Sequence, residues 1–235
     1  MAFELKNVIP WGRSFQDYLE MFALTPEELE LSILDCAGGP ASFNVEMKRL
    51  GYRVISCDPV YQFSAPEINQ RIQETYSTVI EQLHQNQDNY VWENIKSPEH
   101  LGELRIAAMQ QFLEDFPLGK AEERYLTAEL PHLPFNSQQF DLALCSHLLF
   151  TYSQQLSEDF HLESVLELCR IAREVRIFPL VDLAGNLSPF LSPVISNLQQ
   201  QGWTLEIEPV PYEYQKGGNQ MLRVFQPAQK PVGAS

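Results

Sequence analysis

The chain has 235 residues and a formal net charge of −15, and 44% of its residues are hydrophobic. A chain of this length and composition suits one globular domain with a substantial core, or one domain with a large insertion. The excess of acidic residues argues against a protein that holds nucleic acid, or an anionic membrane, across a broad basic surface.

The sequence predicts a cytoplasmic protein without a membrane span. Its longest apolar stretches, such as residues 142–145, are only a few residues long, whereas a spanning helix needs about 20. Residues 1–7 lack the basic and then apolar pattern of a signal peptide. The four cysteines form no CxxC pair and are too widely separated for a zinc template. We therefore expect four reduced thiols in the core.

Residues 1–30 are predicted to form helices. Ser14 can cap a helix in which apolar residues recur at a helical spacing. Farther along the chain, Thr25, Pro26 and Glu28 follow the order of a helix cap, a first-turn proline and a capping-box acid. We therefore expect two helices before the first strand.

Between residues 31 and 58 the hydrophobic pattern becomes strand-like. Residues 31–35 form a short apolar run that ends at a glycine-rich turn, and residues 42–50 have the pattern of a helix. Residues 53–57 then form a second apolar run. Strand, turn, helix and strand in this order predict one βαβ unit with parallel strands.

Residues 60–122 interrupt the alternation with a helical pattern. We interpret them as a helical insertion, or lid, because about 60 residues give only a marginal core of their own. The segment carries more acidic than basic residues, which disfavours a strongly anionic substrate. Its expected apolar stripes are Ile68, Ile72, Tyr76, Val79 and Leu83 on a first helix, and Leu101, Leu104, Ala108, Phe112 and Phe116 on a second.

Beyond residue 122 the alternation resumes and completes a single domain over residues 1–235. The expected strands are 123–126, 140–146, 174–180, 203–210 and 220–225, and the expected helices are 157–172 and 189–201. Residues 216–219 are predicted to form only a turn between the last two strands, and residues 226–235 a flexible tail. The pattern predicts a doubly wound parallel sheet, covered on both faces, with an antiparallel end.

Two acidic residues follow the first two predicted strands, on either side of the glycine-rich turn. Ligands of open α/β sheets bind at the carboxyl ends of the strands, so Asp35 and Asp58 are expected to border one crevice. Gly38 and Gly39 allow a ligand to approach the backbone closely, and the next helix offers its N-terminal N–H groups to an anion. Asp58 lies about 20 residues after Asp35, a position suited to accepting hydrogen bonds from both hydroxyls of a ribose.

The turn, Ala37-Gly38-Gly39-Pro40-Ala41, lacks the GxGxxG pattern of a dinucleotide site. An acid at the strand end suits a ligand with a positive group there better than a pyrophosphate. S-adenosylmethionine carries an ammonium, a carboxylate and a sulfonium, so Asp35 can meet its ammonium and the helix N-terminus its carboxylate. These residues therefore favour S-adenosylmethionine over a nicotinamide dinucleotide.

The same stretches resemble a known family. Residues 33–41, Ile-Leu-Asp-Cys-Ala-Gly-Gly-Pro-Ala, are similar to motif I of class I S-adenosylmethionine-dependent methyltransferases, and Asp58 matches the acid after their second strand. Residues 133–135 and 140–147 resemble the stretch before and along the fourth strand in the ubiquinone and menaquinone methyltransferase branch. The resemblance implies an α/β, Rossmann-like sheet of seven strands in the order 3-2-1-4-5-7-6, with strand 7 antiparallel.

The resemblance also implies a cofactor site, with two departures from the family pattern. Alanine stands at positions 37 and 41, where the family usually has glycine, and alanine disfavours positive φ. Glu129 is the candidate for the acid expected after the third strand, and Ala128 would supply a backbone contact. The implied cofactor-binding residues are Asp35, Ala37, Gly38, Gly39, Asp58, Pro59, Ala128, Glu129 and Ser146.

Several other residues have both a functional and a structural interpretation. His147, which follows the fourth predicted strand, either orients or deprotonates a substrate or is a hydrogen-bonded structural histidine. Tyr61, Phe63 and Tyr152 either wall the ligand pocket or pack in the core. The remaining histidines have no partner at a metal-binding spacing, and we expect no metal.

These features predict methyl transfer from S-adenosylmethionine to a small molecule. Such an enzyme aligns the acceptor with an electrophilic methyl group and excludes water, so we predict no particular catalytic residue. The Asn/Asp-Pro-Pro-aromatic motif of many N-methyltransferases is replaced by residues 146–149, Ser-His-Leu-Leu, which makes nucleic-acid amines a less favoured target. Two alternatives stay open: a non-catalytic binding or regulatory protein with the same fold, and a nicotinamide-dependent oxidoreductase. The sequence does not specify the oligomeric state.

Overall fold

The computed structural model describes residues 9–226. The flexible tail predicted for residues 226–235 therefore lies, except for Gln226, outside the described residues. Residues 1–8 of the predicted N-terminal helical region also lie outside them. Within the described range, no helix is both long and apolar enough to cross a membrane.

A seven-stranded sheet forms the centre of the molecule. Its strands are β1 (Ile33–Cys36), β2 (Val54–Cys57), β3 (Tyr125–Leu126), β4 (Phe140–Ser146), β5 (Ala172–Phe178), β6 (Thr204–Pro209) and β7 (Gln220–Phe225). Their order is β3-β2-β1-β4-β5-β7-β6, and β7 is antiparallel to both of its neighbours, β5 and β6, whereas the other pairs are parallel. This confirms the strand order and the antiparallel strand that the family resemblance implies.

In residues 9–226, six α-helices accompany the sheet: α1 (Phe15–Met21), α2 (Phe43–Arg49), α3 (Ala65–Gln85), α4 (Pro98–Ala121), α5 (Glu158–Ile171) and α6 (Leu191–Gln200). Ser14 caps α1 as predicted, in a reciprocal capping box with Asp17. The second predicted N-terminal helix was wrong, because only a 3₁₀ turn forms, at Glu28–Glu30. The Thr25 N–H does donate to the Glu28 carboxylate (2.9 Å), but the buried strand that begins at Ile33 leaves no room for a longer helix.

Two apolar clusters hold the layers together, one on each face of the sheet. The cluster under α5 and α6 includes Ala143, Val175 and Leu168, and the cluster under α1 and α2 includes Leu142 and Phe43. Successive residues of β4 thus point to opposite faces and are buried on both, which explains the nearly continuous apolar sequence of this strand. The sheet therefore presents its strand ends, rather than a face, to ligands.

The insertion between β2 and β3 consists mainly of α3 and α4, which pack against each other and against β3. Most of the expected stripe residues are buried, but Leu104 is 43% exposed, so its assignment to the core was wrong. Arg105 is buried instead, at 2% exposure, and donates to Asp17 (2.5 Å) and to the Tyr212 hydroxyl (2.8 Å). Leu101, Ala108, Phe112 and Phe116 are buried as predicted, so the buried face of α4 is the predicted one, with Arg105 in it and Leu104 outside it.

Candidate functional site

A large cavity lies at the carboxyl ends of β1, β2 and β4. Its volume is about 520 Å³, within the range of small-molecule sites. One end is lined by residues 36–40, 58–60, 128–130 and 146–148, which follow the strands. The other end is lined by the N-terminal segment, the insertion and the connection between β6 and β7. The cavity therefore occupies the position that the topology predicts for a ligand.

The structure brings eight of the nine predicted cofactor-binding residues to this cavity. The eight are Ala37, Gly38, Gly39, Asp58, Pro59, Ala128, Glu129 and Ser146. Asp35 is the exception: it is 1% exposed, and its side chain does not line the cavity. Its contact with the ammonium of a ligand stays a prediction, and the structure offers a different use for this carboxylate.

Asp35 supports the glycine-rich turn from beneath. Its carboxylate accepts hydrogen bonds from the Tyr18 hydroxyl (2.8 Å) and the Ser56 hydroxyl (2.9 Å). A methyl group added at Gly38 would lie 2.1 Å from Asp35 Oδ2, so only glycine fits over the carboxylate. Burial raises the pKa of Asp35 to about 7, with a further contribution from the charge of Asp58, although both hydroxyls act to lower it. The carboxylate thus shapes the cavity through the turn above it.

Asp58 lines the cavity directly and binds the turn from the side. Its Oδ2 accepts from the Gly39 N–H (3.0 Å) and its Oδ1 from the Val60 N–H (2.8 Å). Burial raises the pKa of Asp58 to about 6, the two N–H groups act to lower it, and the charge of Glu129 adds to the increase. Each carboxylate oxygen retains lone-pair capacity for one more donor, so two adjacent hydroxyls of a ligand match this group.

The turn itself contains a non-glycine residue in the left-handed region. Ala37 has φ +58° and Gly39 has φ +54°. At position 37, alanine thus adopts a left-handed conformation where the family usually has glycine. The Ala37 N–H donates to the Cys57 carbonyl (2.8 Å) and the Tyr61 hydroxyl donates to the Gly39 carbonyl (2.7 Å). These bonds hold Ala37 in a conformation that costs an L-residue about 1–2 kcal/mol.

We expect Ala37→Gly to raise the free energy of unfolding by up to about 1 kcal/mol, because relief of the strain exceeds the entropy gained by the unfolded chain. Ala41 in the same turn is the matched control, since it is 4% exposed and does not have a positive φ. Ala41→Gly should instead lower stability by about 1 kcal/mol. Urea denaturation measures both. Equal destabilisation by the two substitutions would contradict the assignment of strain to position 37.

His147 also faces the cavity, directly after β4. It has φ +55°, an unusual conformation for histidine, and its N–H donates to the Phe178 carbonyl (2.7 Å). Its Nδ1 lies 2.8 Å from the Ser146 hydroxyl. Burial, together with the charges of Arg13 and Arg105, holds the pKa of His147 well below its usual range. The ring is therefore a neutral, fixed group at the cavity wall.

The aromatic candidates fall into two groups. Tyr61 is a core residue, 1% exposed, that packs against Phe112 and Tyr125 and does not line the cavity. Phe63 and Tyr152 do line it. Phe63 is 45% exposed and thus lies at the mouth of the cavity, whereas Tyr152 is buried in the wall.

The sequence interpretation missed a second wall, formed by the N-terminal segment and by residues 210–219. The predicted turn at 216–219 belongs to this longer connection between β6 and β7, which places Tyr212, Tyr214, Gln215 and Gly218 on the cavity. The assignment of 216–219 as only a turn was therefore too narrow. Closely spaced tyrosines before a double glycine were the available signal.

Metal-binding groups do not gather in the described part of the chain. Between residues 9 and 226 there is no cluster of three or more histidine, cysteine or acidic side chains that could hold a metal ion. The four cysteines, Cys36, Cys57, Cys145 and Cys169, are buried and unpaired. They act as small apolar side chains in the core.

Comparison with known proteins places the chain in a family. No protein-family model matches it. The uncharacterised protein MJ0045 of Methanocaldococcus jannaschii is 32% identical over 219 residues, which make up 93% of this chain and 96% of that protein. This chain belongs to the family of MJ0045. Both proteins thus share one fold over nearly their whole lengths.

Solved structures with a similar arrangement are more distant. The TehB-like S-adenosylmethionine-dependent methyltransferase from Corynebacterium glutamicum matches 91% of this chain and 87% of its own, at 16% identity and a TM-score of 0.45. The pyocyanin biosynthetic protein PhzM matches 90% of this chain at 16% identity and a TM-score of 0.47, and the chain spans about half of it, 54%. Likeness at this level does not extend to activity.

Proposed function

We propose that this protein transfers a methyl group from S-adenosylmethionine to a small-molecule acceptor. The observation that carries the proposal is the arrangement of Asp58 and the turn at residues 37–40 around one end of the cavity, at the carboxyl ends of β1 and β2. This end combines a carboxylate for ribose hydroxyls with a backbone that a ligand can approach closely. The strand order of the sheet supports the same proposal.

The residues present fit this cofactor. Asp58 would accept hydrogen bonds from the ribose hydroxyls, Gly38 and Gly39 would border its amino-acid portion, and residues 128–130 would border the adenine. Ser146, at the end of β4, would lie near the reacting end. When bound, the cofactor supplies an electrophilic methyl group on a sulfonium. The contribution of the chain is to orient the acceptor and to exclude water.

The other end of the cavity would hold the acceptor. Its wall includes Trp11, Tyr152, Phe178, Tyr212 and Tyr214, and aromatic side chains of this kind bind apolar bodies. His147 follows Ser146 at the end of β4, with Nδ1 2.8 Å from the Ser146 hydroxyl. A neutral imidazole at this point would orient an acceptor hydroxyl or amine, or receive its proton.

The insertion would act as the lid of the acceptor end. Val79, Leu83, Tyr90 and Leu101 all line the cavity from this segment. We include the insertion in a single domain of residues 1–235, because its core is shared with Tyr125 of β3. We also propose that the protein works in the cytoplasm, where its unpaired cysteines would stay reduced.

Calorimetric titration with S-adenosylhomocysteine and, separately, with NAD⁺ tests the proposed cofactor. We expect S-adenosylhomocysteine to bind one site per chain and NAD⁺ to give no heat of binding, because no phosphate-cradling GxGxxG is present. Binding of NAD⁺ alone would instead favour an oxidoreductase. Turnover is then tested by release of S-adenosylhomocysteine with a panel of phenols, thiols and amines. Tight binding without turnover on any of them would favour the non-catalytic alternative.

A further inference from the structure

Arg13 is a cation in the cavity wall without an anionic partner. Its Nη1 donates to the Trp11 carbonyl (2.6 Å), and its Nε is buried with no hydrogen-bond partner. Within residues 9–226 no carboxylate forms an ion pair with it. The nearby carboxylate of Asp17 forms an ion pair with Arg105, at 2.5 Å. Asp17 is thus paired with Arg105 and forms no ion pair with Arg13.

Such an arrangement is unfavourable for the free protein. Burial lowers the pKa of Arg13 to about 10, with a further decrease from the charge of Arg105. The group nevertheless carries its charge at neutral pH, in a wall that is otherwise mostly apolar. Arg13 is half-buried and its Nε is fully buried. A charge withdrawn from water without an ion pair is costly, and a ligand with a negative group would lower that cost.

The charges of the surrounding wall agree with an anionic ligand. The insertion is acidic overall, but its residues that line the cavity include Gln62, Arg71 and Tyr90 and no acidic side chain in the described chain. The lining carboxylates, Asp58 and Glu129, belong to the end that follows β2 and β3. The expectation from the sequence that acidic charge would disfavour an anionic substrate therefore does not apply to the cavity itself.

We propose that Arg13 binds a carboxylate group inside this cavity. Two molecules could present it: the methionyl portion of the cofactor, or the acceptor. The first source rests on the proposed function, whereas the second can be tested without it. In either case the carboxylate would accept charge-assisted hydrogen bonds from the guanidinium, whose Nε now lacks a partner.

The position of Arg13 is compatible with both sources. Its carbonyl accepts from the Ser42 N–H (3.0 Å), and a methyl group added at Gly12 would lie 2.1 Å from the Pro40 carbonyl oxygen. Its backbone is therefore fixed beside the turn between β1 and α2. Its positive charge also acts to lower the pKa of His147, which follows β4, and the pKa of Tyr152 in the wall of the acceptor end. Arg13 is thus beside the turn at one end of the cavity and near enough to Tyr152 of the other end to act on its pKa.

The test compares the full-length protein with its Arg13→Met and Arg13→Lys variants. Calorimetry gives the affinity for S-adenosylhomocysteine and for 5′-methylthioadenosine, which has the same adenosine but no amino acid. Thermal denaturation in the presence of S-adenosylhomocysteine then compares benzoate with benzamide, its neutral isostere. Arg49→Met is the matched control, because the Arg49 side chain is 77% exposed at the end of α2.

If the cofactor supplies the carboxylate, Arg13→Met should weaken S-adenosylhomocysteine at least tenfold and leave 5′-methylthioadenosine unchanged. If the acceptor supplies it, both adenosine ligands should bind normally, while benzoate stabilises the wild type and not Arg13→Met. Arg13→Lys, which keeps the charge, should show a smaller loss in the same assay, and it replaces Arg13→Met if that variant does not fold.

Three results would overturn the proposal. One is equal weakening of both adenosine ligands, which indicates a general distortion of the site. Another is that Arg13→Met keeps the wild-type preference for S-adenosylhomocysteine over 5′-methylthioadenosine and also responds to benzoate as the wild type does. The third is the same response from Arg49→Met. If the wild type binds neither adenosine ligand, the proposed function fails, but the comparison of benzoate with benzamide still decides the role of Arg13.

Discussion

Asp58→Ala is expected to weaken binding of S-adenosylhomocysteine by at least tenfold. The carboxylate lines the cavity, and both of its oxygens are fixed by backbone N–H groups, Gly39 at 3.0 Å and Val60 at 2.8 Å. A ligand with two adjacent hydroxyls would therefore meet an acceptor that is already in place. A hydrogen bond to a charged group contributes about 1.5 kcal/mol or more, so loss of two amounts to roughly a hundredfold in Kd.

The same contact predicts how affinity depends on pH. Burial raises the pKa of Asp58 to about 6 in the free protein, and hydroxyl donors favour its ionised form. Binding should therefore be strongest above pH 6 and weaken as the pH falls below that value, because the protonated carboxyl must first lose its proton. Asp58→Ala should lack this part of the pH dependence. Calorimetry at pH 5, 6 and 7.5 measures both effects.

The control for lost stability is Asp141→Ala. Asp141 also accepts from a backbone N–H and a hydroxyl, both of Ser32 (3.1 and 2.7 Å), but at the amino ends of β1 and β4. It should lower stability and leave affinity unchanged. Wild-type affinity in Asp58→Ala, or an equal loss of affinity in Asp141→Ala, would refute the ribose assignment.

The sequence predicted the individual strands well because the signals for them are local, whereas the strand order was implied by the family resemblance. β4 and β7 were predicted with the observed bounds, Phe140–Ser146 and Gln220–Phe225, since each is a continuous or alternating apolar run bordered by turn residues. The position of Asp58 follows from the order of strand, turn, helix and strand. Information of this kind is contained in a few neighbouring residues.

The direction of a side chain is not local, and here the sequence interpretation was incomplete. Asp35 follows a strand just as Asp58 does, but its carboxylate is drawn beneath the turn by Tyr18 and Ser56, which come from α1 and β2. Among the described residues Arg13 has no ion pair, because Arg105, which comes from the insertion, pairs with the nearby Asp17. Both facts depend on contacts between elements that are distant in the chain, and no spacing rule contains them.

The buried position of Asp35 predicts that the stability of the protein changes with pH. Its pKa in the folded state is about 7, raised from 3.8 chiefly by burial. The folded chain therefore keeps this proton at pH values where the unfolded chain has lost it. The resulting stabilisation is complete below about pH 4 and is lost as the pH rises through 7. At 1.36 kcal/mol per pKa unit, the change is of the order of 4 kcal/mol.

Asp35→Asn should remove this dependence, because the amide keeps the size of the carboxyl and does not titrate. Its oxygen can still accept from one of the two hydroxyls, and its NH₂ can donate to the other after that hydroxyl rotates. Urea denaturation between pH 5 and 8 should show the wild type losing stability relative to the variant by a few kcal/mol. Asp58 contributes in the same direction, but its pKa of about 6 places its effect at lower pH. The interval from pH 6.5 to 8 thus isolates Asp35, and parallel curves for the two proteins over that interval would show that this carboxyl is already ionised in the fold.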